Sequence, residues 1–219
     1  MSNDEASKIL KGAVPDIKVL EIKNSPIKGV WEITAETKGK NSLYYIDFSK
    51  KLVIAGSIFN IETKVNLTQE RYLEINKVDV SQIPLDDAII VGDKKAEHRI
   101  IIFTDTNCPY CAKLHEETKK IIEKRKDIAF YVKMFPLNQS SIEKAKAIVC
   151  EKSLKLLDDA FAKKQLPEPK CKTSAIDENL KLGRKIGING TPTLILPNGS
   201  LIPGYKDADS LISLIDKSS

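Results

Sequence analysis

Hydrophobic positions follow two rhythms along this chain, and the change falls near Arg99. Between Ile17 and Leu67 apolar side chains recur with a period of two, the spacing of half-buried strands. Ile17, Val19, Leu20 and Ile22 are followed by Ile27, Val30, Trp31 and Ile33, then by Leu43 to Ile46 with Phe48. Leu52, Val53 and Ile54 continue the pattern, and Ile58, Phe59, Ile61, Val65 and Leu67 close it. Turn residues at Asn24-Ser-Pro26, Gly39-Lys-Asn41, Asp47 to Lys51 and Gly56 separate these runs. The pattern predicts a small antiparallel sheet, preceded by a short helix over Asp4 to Lys11 that Gly12 and Pro15 end. A sheet of this size is marginal alone and is expected to complete its core by dimerising.

Thr68 to Asn76 reads as a mostly polar helix with Thr68 as its N-cap, the composition of a helix that bridges domains. Ser81 to Asp93 reads as a connection. From Arg99 strand and helix alternate. Ile100-Ile-Ile-Phe103 is a continuous apolar run, as in a strand buried on both faces. A helix starting at Pro109 turns Leu114, Ile121 and Ile122 inward, and Ile128 to Met134 is the next strand, which makes a parallel unit. Ser140 to about Lys164 and Ile176 to Ile186 read as helices. Leu194-Ile-Leu196 and Leu201-Ile202 flank a hairpin turn, Pro197-Asn-Gly-Ser200, and Asp207 to Ile215 is a closing helix.

Composition narrows the class. Hydrophobic residues make up 42% and charged residues 30%, the balance of a chain with a packed core. Lys and Arg number 35 against 30 Asp and Glu, and the excess is scattered rather than gathered into a basic face, so nucleic acid is not an expected partner. No apolar run is long enough to cross a bilayer. Met1 to Ser7 lacks the basic and apolar regions of a secretion signal, which taken literally points to the cytosol; an exported chain whose signal has been removed is the other reading.

The chemistry centres on cysteine. Cys108-Pro109-Tyr110-Cys111 sits where a buried strand hands over to a helix. At a helix N-terminus unpaired amides and the helix dipole favour negative charge on the first sulfur, and the thiolate is the attacking species in disulfide exchange. Two intervening residues bring Cys111 into range to resolve a mixed disulfide. Gly190-Thr191-Pro192-Thr193 precedes a buried strand; a cis proline there, beside the cysteines, exposes the Thr191 backbone for strand-like pairing with a substrate. Cys150 and Cys171 are either two buried thiols or a structural disulfide closing a loop of about 20 residues, worth roughly 3 kcal/mol. The polar, proline-rich setting of Cys171 (Leu166-Pro-Glu-Pro-Lys-Cys171) favours the disulfide, and a disulfide implies an oxidising compartment. His115 is read as exposed, His98 as a solvated residue at a strand start, and Asp105 as a loop residue. Two histidines without a carboxylate cluster, and one close cysteine pair rather than two, argue against a metal, and no cofactor is expected.

Phe103-Thr-Asp-Thr-Asn-Cys-Pro-Tyr-Cys-Ala-Lys-Leu-His115, Ala147-Ile-Val-Cys150, Leu182-Gly-Arg-Lys-Ile-Gly-Ile-Asn-Gly-Thr-Pro192 and Leu194 to Tyr205 resemble the bacterial periplasmic disulfide isomerases DsbC and DsbG. Ser25 to Gly29, Leu43 to Asp47 and Gly56 are similar to that family's dimerisation domain. The resemblance implies an α+β or α/β architecture: a cystatin-like antiparallel dimerisation domain over residues 1–67, a linker helix and connection over 68–92, and a thioredoxin-like catalytic domain with a helical insertion over 93–219. It implies catalysis by Cys108 and Cys111, substrate contact through Pro109, Tyr110, Thr191 and Pro192, and a structural disulfide between Cys150 and Cys171. It further implies a V-shaped homodimer in the periplasm that acts on misfolded disulfide-containing secreted proteins and is kept reduced by a DsbD-like membrane reductase. The Pro109-Tyr110 dipeptide resembles DsbG and the glutaredoxins, whereas DsbC itself carries Gly-Tyr; the intervening pair tunes redox potential. Reduction of sulfenylated cysteines, glutaredoxin-like reduction and a holdase chaperone role therefore stand beside isomerisation.

Overall fold

The computed structural model describes residues 1–37 and 39–218, and the chain divides into two compact units, Met1–Lys77 and Val78–Ser219.

In the first unit helix α1 (Asn3–Lys11) begins with a capping box: Ser2 Oγ accepts from the Glu5 amide at 3.2 Å and Glu5 Oε2 accepts from the Ser2 amide at 2.9 Å. Strands β1 (Lys18–Asn24), β2 (Val30–Thr37), β3 (Lys40–Asp47) and β4 (Val53–Ile54) follow as an antiparallel sheet in sequential order. Period two divides its faces. Val19, Ile33, Ala35 and Ile46 pack with Ala6 and Leu10 of α1. Glu32, Thr34 and Tyr45 point the other way, where helix α2 (Leu67–Ile75) lies on the sheet. The polar face of α2, which the sequence suggested for bridging domains, is used inside this unit. Arg71 reaches Glu32 at 3.0 Å and Glu21 at 2.5 Å, and Tyr45 Oη meets Thr68 Oγ1 at 2.6 Å. Asn66, not Thr68, caps this helix, with Oδ1 accepting from the Gln69 amide at 2.9 Å; the Thr68 hydroxyl is taken by Tyr45 and the Ile58 amide. The run of strands expected to continue to Leu67 stops early. β4 has two residues, and beyond it, among the described residues of this unit, a single isolated bridge joins Phe59 to Asn66.

The second unit is a five-stranded mixed sheet in the order β5-β7-β6-β8-β9, made of β5 (Ile89–Gly92), β6 (His98–Thr104), β7 (Ile128–Met134), β8 (Thr193–Ile195) and β9 (Leu201–Pro203). β6 and β7 are parallel and linked by helix α3 (Pro109–Lys124), as the alternation predicts; the other pairings are antiparallel. β5 falls within the connection expected over Ser81 to Asp93, since four residues at a sheet edge carry too short a pattern to stand out. The expected helix from Ser140 to Lys164 is two, α4 (Gln139–Glu151) and α5 (Leu154–Phe161), broken where Lys152 takes a left-handed φ of 45°. Helices α6 (Ala175–Lys185) and α7 (Ala208–Asp216) complete the unit.

Both faces of this sheet are covered. Ile101, Phe103, Ala129, Tyr131 and Ile195 form one core with Phe135 and Ile188, against which Leu180 and Leu182 of α6 pack. Residues of the other parity, Ile100, Ile102, Phe130 and Val132, are equally buried on the opposite side. α3 contributes Leu114, His115, Thr118 and Ile121 to the interior; Ile122, predicted inward, is only half-buried. The C-terminal end of β6 therefore delivers the chain from a dry, rigid strand directly into α3, with Cys108 at the junction.

A dithiol site at the N-terminus of helix α3

Cys108 occupies the N-cap of α3 in extended backbone (φ −85°, ψ 119°), with Pro109 in the first turn, where its missing N–H leaves nothing unpaired. The Cys111 amide donates to Cys108 Sγ at 3.4 Å, so the sulfur stands where a helix N-terminus offers hydrogen bonds to an anion. Cys108 Sγ also lies 3.4 Å from the carbonyl oxygen of Thr191, and the Thr191–Pro192 peptide is cis. The loop before β8 is held by β9: the Gly204 amide donates to the Pro192 carbonyl at 2.8 Å, and Thr193 Oγ1 donates to the Gly190 carbonyl at 2.8 Å. The structure thus brings together Cys108, Cys111, Thr191 and Pro192 from segments 83 residues apart. Pro109 and Tyr110 are exposed beside them, Tyr110 at 58%.

The two thiols are free and unequal: Cys108 is half-buried and Cys111 is 1% exposed. Burial pushes the Cys111 thiol up to about 12; hydrogen bonding from the Asp105 backbone and the Thr104 side chain pulls the other way without overcoming it. Cys111 is therefore protonated at neutral pH in the reduced protein.

Asp105, read from sequence as a loop residue, is 2% exposed and organises the site. Its Oδ1 accepts from the Asn107 amide at 2.9 Å, its Oδ2 from the Leu137 amide at 2.8 Å, and its carbonyl oxygen from the Cys108 amide at 3.1 Å. One carboxylate fastens the loop entering α3 to the loop leaving β7. The only sequence signal was position: an Asx-turn residue shortly before the first cysteine.

His115, expected to be exposed, is 4% exposed. Its Nε2 lies 2.6 Å from Asp158 Oδ1 and its ring centroid 5.0 Å from that of Phe161, so α5 covers it. Burial dominates over the carboxylate and lowers the His115 pKa, which makes this a neutral imidazole bonded to an anion. Burial opposes ionisation of Asp158 too, but Lys119 at 2.7 Å and the His115 hydrogen bond together hold its carboxyl below the usual range. The two shifts agree only in this assignment, because Asp158 keeps more solvent than His115. His98 begins β6 and is largely covered, with Asp127 at 3.7 Å. Cys150 at the end of α4 and Cys171 are joined, with S–S 2.08 Å. Among the described residues no group of three or more His, Cys, Asp or Glu side chains is placed to hold a metal.

Residues 85–219 match the thioredoxin-like domain family, and residues 1–69 match the disulfide bond isomerase protein N-terminal domain. The thiol:disulfide interchange protein DsbC of Salmonella typhimurium is 30% identical over 209 residues, covering 92% of this chain and 82% of that protein. DsbC of Escherichia coli K12 is 28% identical over 208 residues, covering 92% and 83%. The probable DsbC of Bordetella avium is 29% identical over 191 residues; the match covers 86% of this chain but only 66% of that longer protein. Among solved structures, the disulfide interchange protein of Neisseria gonorrhoeae superposes with a TM-score of 0.54 at 29% identity, covering 62% of this chain and 98% of that one.

Proposed function

Because the chain belongs to the DsbC family of thiol:disulfide interchange proteins and is a thiol-disulfide oxidoreductase, we propose that it isomerises and reduces wrong disulfides in exported proteins through Cys108 and Cys111. The observation that carries this reading is the placement of Cys108 at the α3 N-cap, with the Cys111 amide and the Thr191 carbonyl both 3.4 Å from its sulfur.

The Cys108 thiolate attacks one sulfur of a substrate disulfide. A Cys108–substrate S–S bond forms as the old bond breaks, and the departing sulfur leaves as a thiolate with the electron pair. That thiolate can attack a different disulfide of the substrate, and when the substrate finally displaces Cys108 the bond has been moved with no net oxidation. Alternatively Cys111 loses its proton, attacks Cys108 and releases the substrate reduced. Burial of Cys111 slows this second route, because the resolving sulfur must first ionise in a dry environment, and slow resolution leaves time for rearrangement. This favours isomerisation over simple reduction. The Thr191-Pro192 loop, with Pro109 and Tyr110, holds the substrate backbone. The Cys150–Cys171 disulfide, joining α4 to the segment before α6, fits an oxidising compartment, and hence the periplasm.

Residues 1–67 are proposed to form the homodimer contact. The support is the two-residue edge strand β4, together with Leu52 just before it and Phe59 and Ile61 shortly after it in sequence, which are 63%, 61% and 90% exposed, apolar surface of the kind proteins normally cover. A DsbD-like membrane reductase is the proposed electron source. A Cys108→Ser variant is expected to lose insulin reduction and reactivation of scrambled ribonuclease entirely; retained activity overturns the assignment. Light scattering with and without residues 1–67 checks the dimer, with a full-length monomer as the contrary result.

A further inference from the structure

The surface around Cys108 carries a charge pattern that disulfide exchange alone does not require. Asn107, immediately before Cys108, accepts from Lys144 Nζ through Oδ1 at 3.0 Å and donates from Nδ2 to Ser140 Oγ at 3.0 Å. Within α3, Lys113 Nζ stands 5.7 Å from the ring centroid of Tyr110, which lies between the two cysteines in sequence. Lys119, Lys120 and Lys146, on the same two helices, are each engaged by carboxylates at 2.7, 2.8 and 2.9 Å. Among the described residues neither Lys113 nor Lys144 has such a partner. The acids nearest them in sequence, Glu116 and Glu143, are paired with Lys119 and Lys146, and Asp105, the acid nearest Cys108 in sequence, is buried and occupied by two backbone amides. Two apolar side chains attached to the same segments stand out from the surface, Tyr110 at 58% and Leu137 at 50% exposure. Leu137 is not a loose loop residue, since its amide is fixed to Asp105 and through that residue to Cys108.

We propose that Lys113 and Lys144, with the exposed Tyr110 and Leu137, form a substrate subsite that selects polypeptide segments carrying carboxylates and an apolar side chain next to the cysteine under attack. This rests on the thiol-exchange reading of Cys108 and adds its substrate class. The occupant is an extended acidic segment of another protein because two ammonium groups without a carboxylate partner are attached to residues next to the reacting cysteine, Lys144 through Asn107 and Lys113 over Tyr110, and opposite charge is what completes them. Each exposed lysine–carboxylate contact is worth up to about fivefold, so two together give roughly 3- to 20-fold at low salt. The preference shrinks as added salt brings the screening length to about 10 Å or less.

The test uses the full reduced chain and three short peptides, each with one cysteine held as a thionitrobenzoate disulfide and flanked by Glu, Gln or Lys pairs. Cys108 attack on the peptide sulfur forms the Cys108–peptide disulfide and expels thionitrobenzoate, whose colour reports the rate; each rate is divided by that of the same peptide with dithiothreitol. Glu peptides are expected to react roughly 3 to 20 times faster than Gln peptides at low salt, and Lys peptides slowest. The Lys113→Glu/Lys144→Glu variant should invert that order, and the neutral Lys113→Gln/Lys144→Gln variant should flatten it. Equal Glu and Gln rates, or a Glu preference that survives both variants, overturn the proposal while leaving the thiol chemistry standing. No release from any peptide by the unaltered chain overturns the thiol reading itself. Oxidised glutathione outpacing the Glu peptide, with that advantage lost in the variants, reassigns the lysines to a small-molecule thiol and also overturns the proposal.

Discussion

Asp105 offers the sharpest check on how the site is held. Its carboxylate is buried at 2% exposure and accepts from two backbone amides, those of Asn107 and Leu137, at 2.9 and 2.8 Å. A hydrogen bond to a charged group contributes about 1.5–3 kcal/mol net, so the pair is worth roughly 3–6 kcal/mol before the cost of burying the carboxylate is subtracted. In an Asp105→Ala variant both amides lose a charged acceptor, and because Asn107 and Leu137 are themselves exposed, water recovers part of that loss for each. The expected loss is about 2–4 kcal/mol from the unit that carries the dithiol. With a urea slope of about 2 kcal/mol per molar, its unfolding midpoint falls by roughly 1–2 M. Circular dichroism in urea reads this transition. Fluorescence of Trp31, the single tryptophan and a member of the first unit, supplies an internal control that should stay in place. Asp105→Asn keeps one acceptor oxygen and should fall between the two. A midpoint for Asp105→Ala within the equivalent of about 0.5 kcal/mol of the parent would refute the argument, because it would mean the two amides find equal partners elsewhere.

Three further outcomes follow from the geometry. Replacing Cys150 and Cys171 together by Ala removes a bond between residues 21 apart, and the same unit should lose about 3 kcal/mol in denaturant unfolding. Iodoacetamide at neutral pH should alkylate Cys108 of the native reduced protein and leave Cys111 untouched until denaturation, because Cys111 is buried and its thiol is pushed up to about 12; rapid double labelling by mass spectrometry is the contrary result. His115 has a folded pKa below the unfolded value of 6.5, so its contribution to stability is fully present above pH 6.5 and is lost as pH falls from there through the folded pKa. Urea midpoints measured across that window should therefore decline more steeply for the parent than for His115→Gln, and identical slopes would count against a neutral buried imidazole.

The elements that carry the chemistry were legible because their signals are local. A continuous apolar run (Ile100 to Phe103), a proline suited to a first helical turn (Pro109) and a 3.6-residue pattern through Leu114 and Ile121 each act within a few residues, and together they place Cys108 at a helix N-terminus. The parallel pairing of β6 with β7 follows from the same alternation. The illegible parts depend on partners distant in the chain. Nothing near His115 announces that Asp158 and Phe161, on a helix more than forty residues away, will bury it. Asp105 resembles any polar loop residue until Leu137 arrives across the sheet. Phe59 and Ile61 alternate like a strand, yet among the described residues Phe59 forms one isolated bridge and no ladder, since β-pairing is a property of two segments and not of one.

What this sequence determined by itself was therefore the dithiol at a strand-to-helix junction and the two-part layout, since backbone propensity, capping and hydrophobic periodicity are short-range. Only the tertiary structure decided which polar groups are buried, which of two otherwise similar cysteines is withheld from water, and which lysines are left without a counter-charge. Desolvation and charge pairing depend on the packing of remote segments, and no local pattern encodes them.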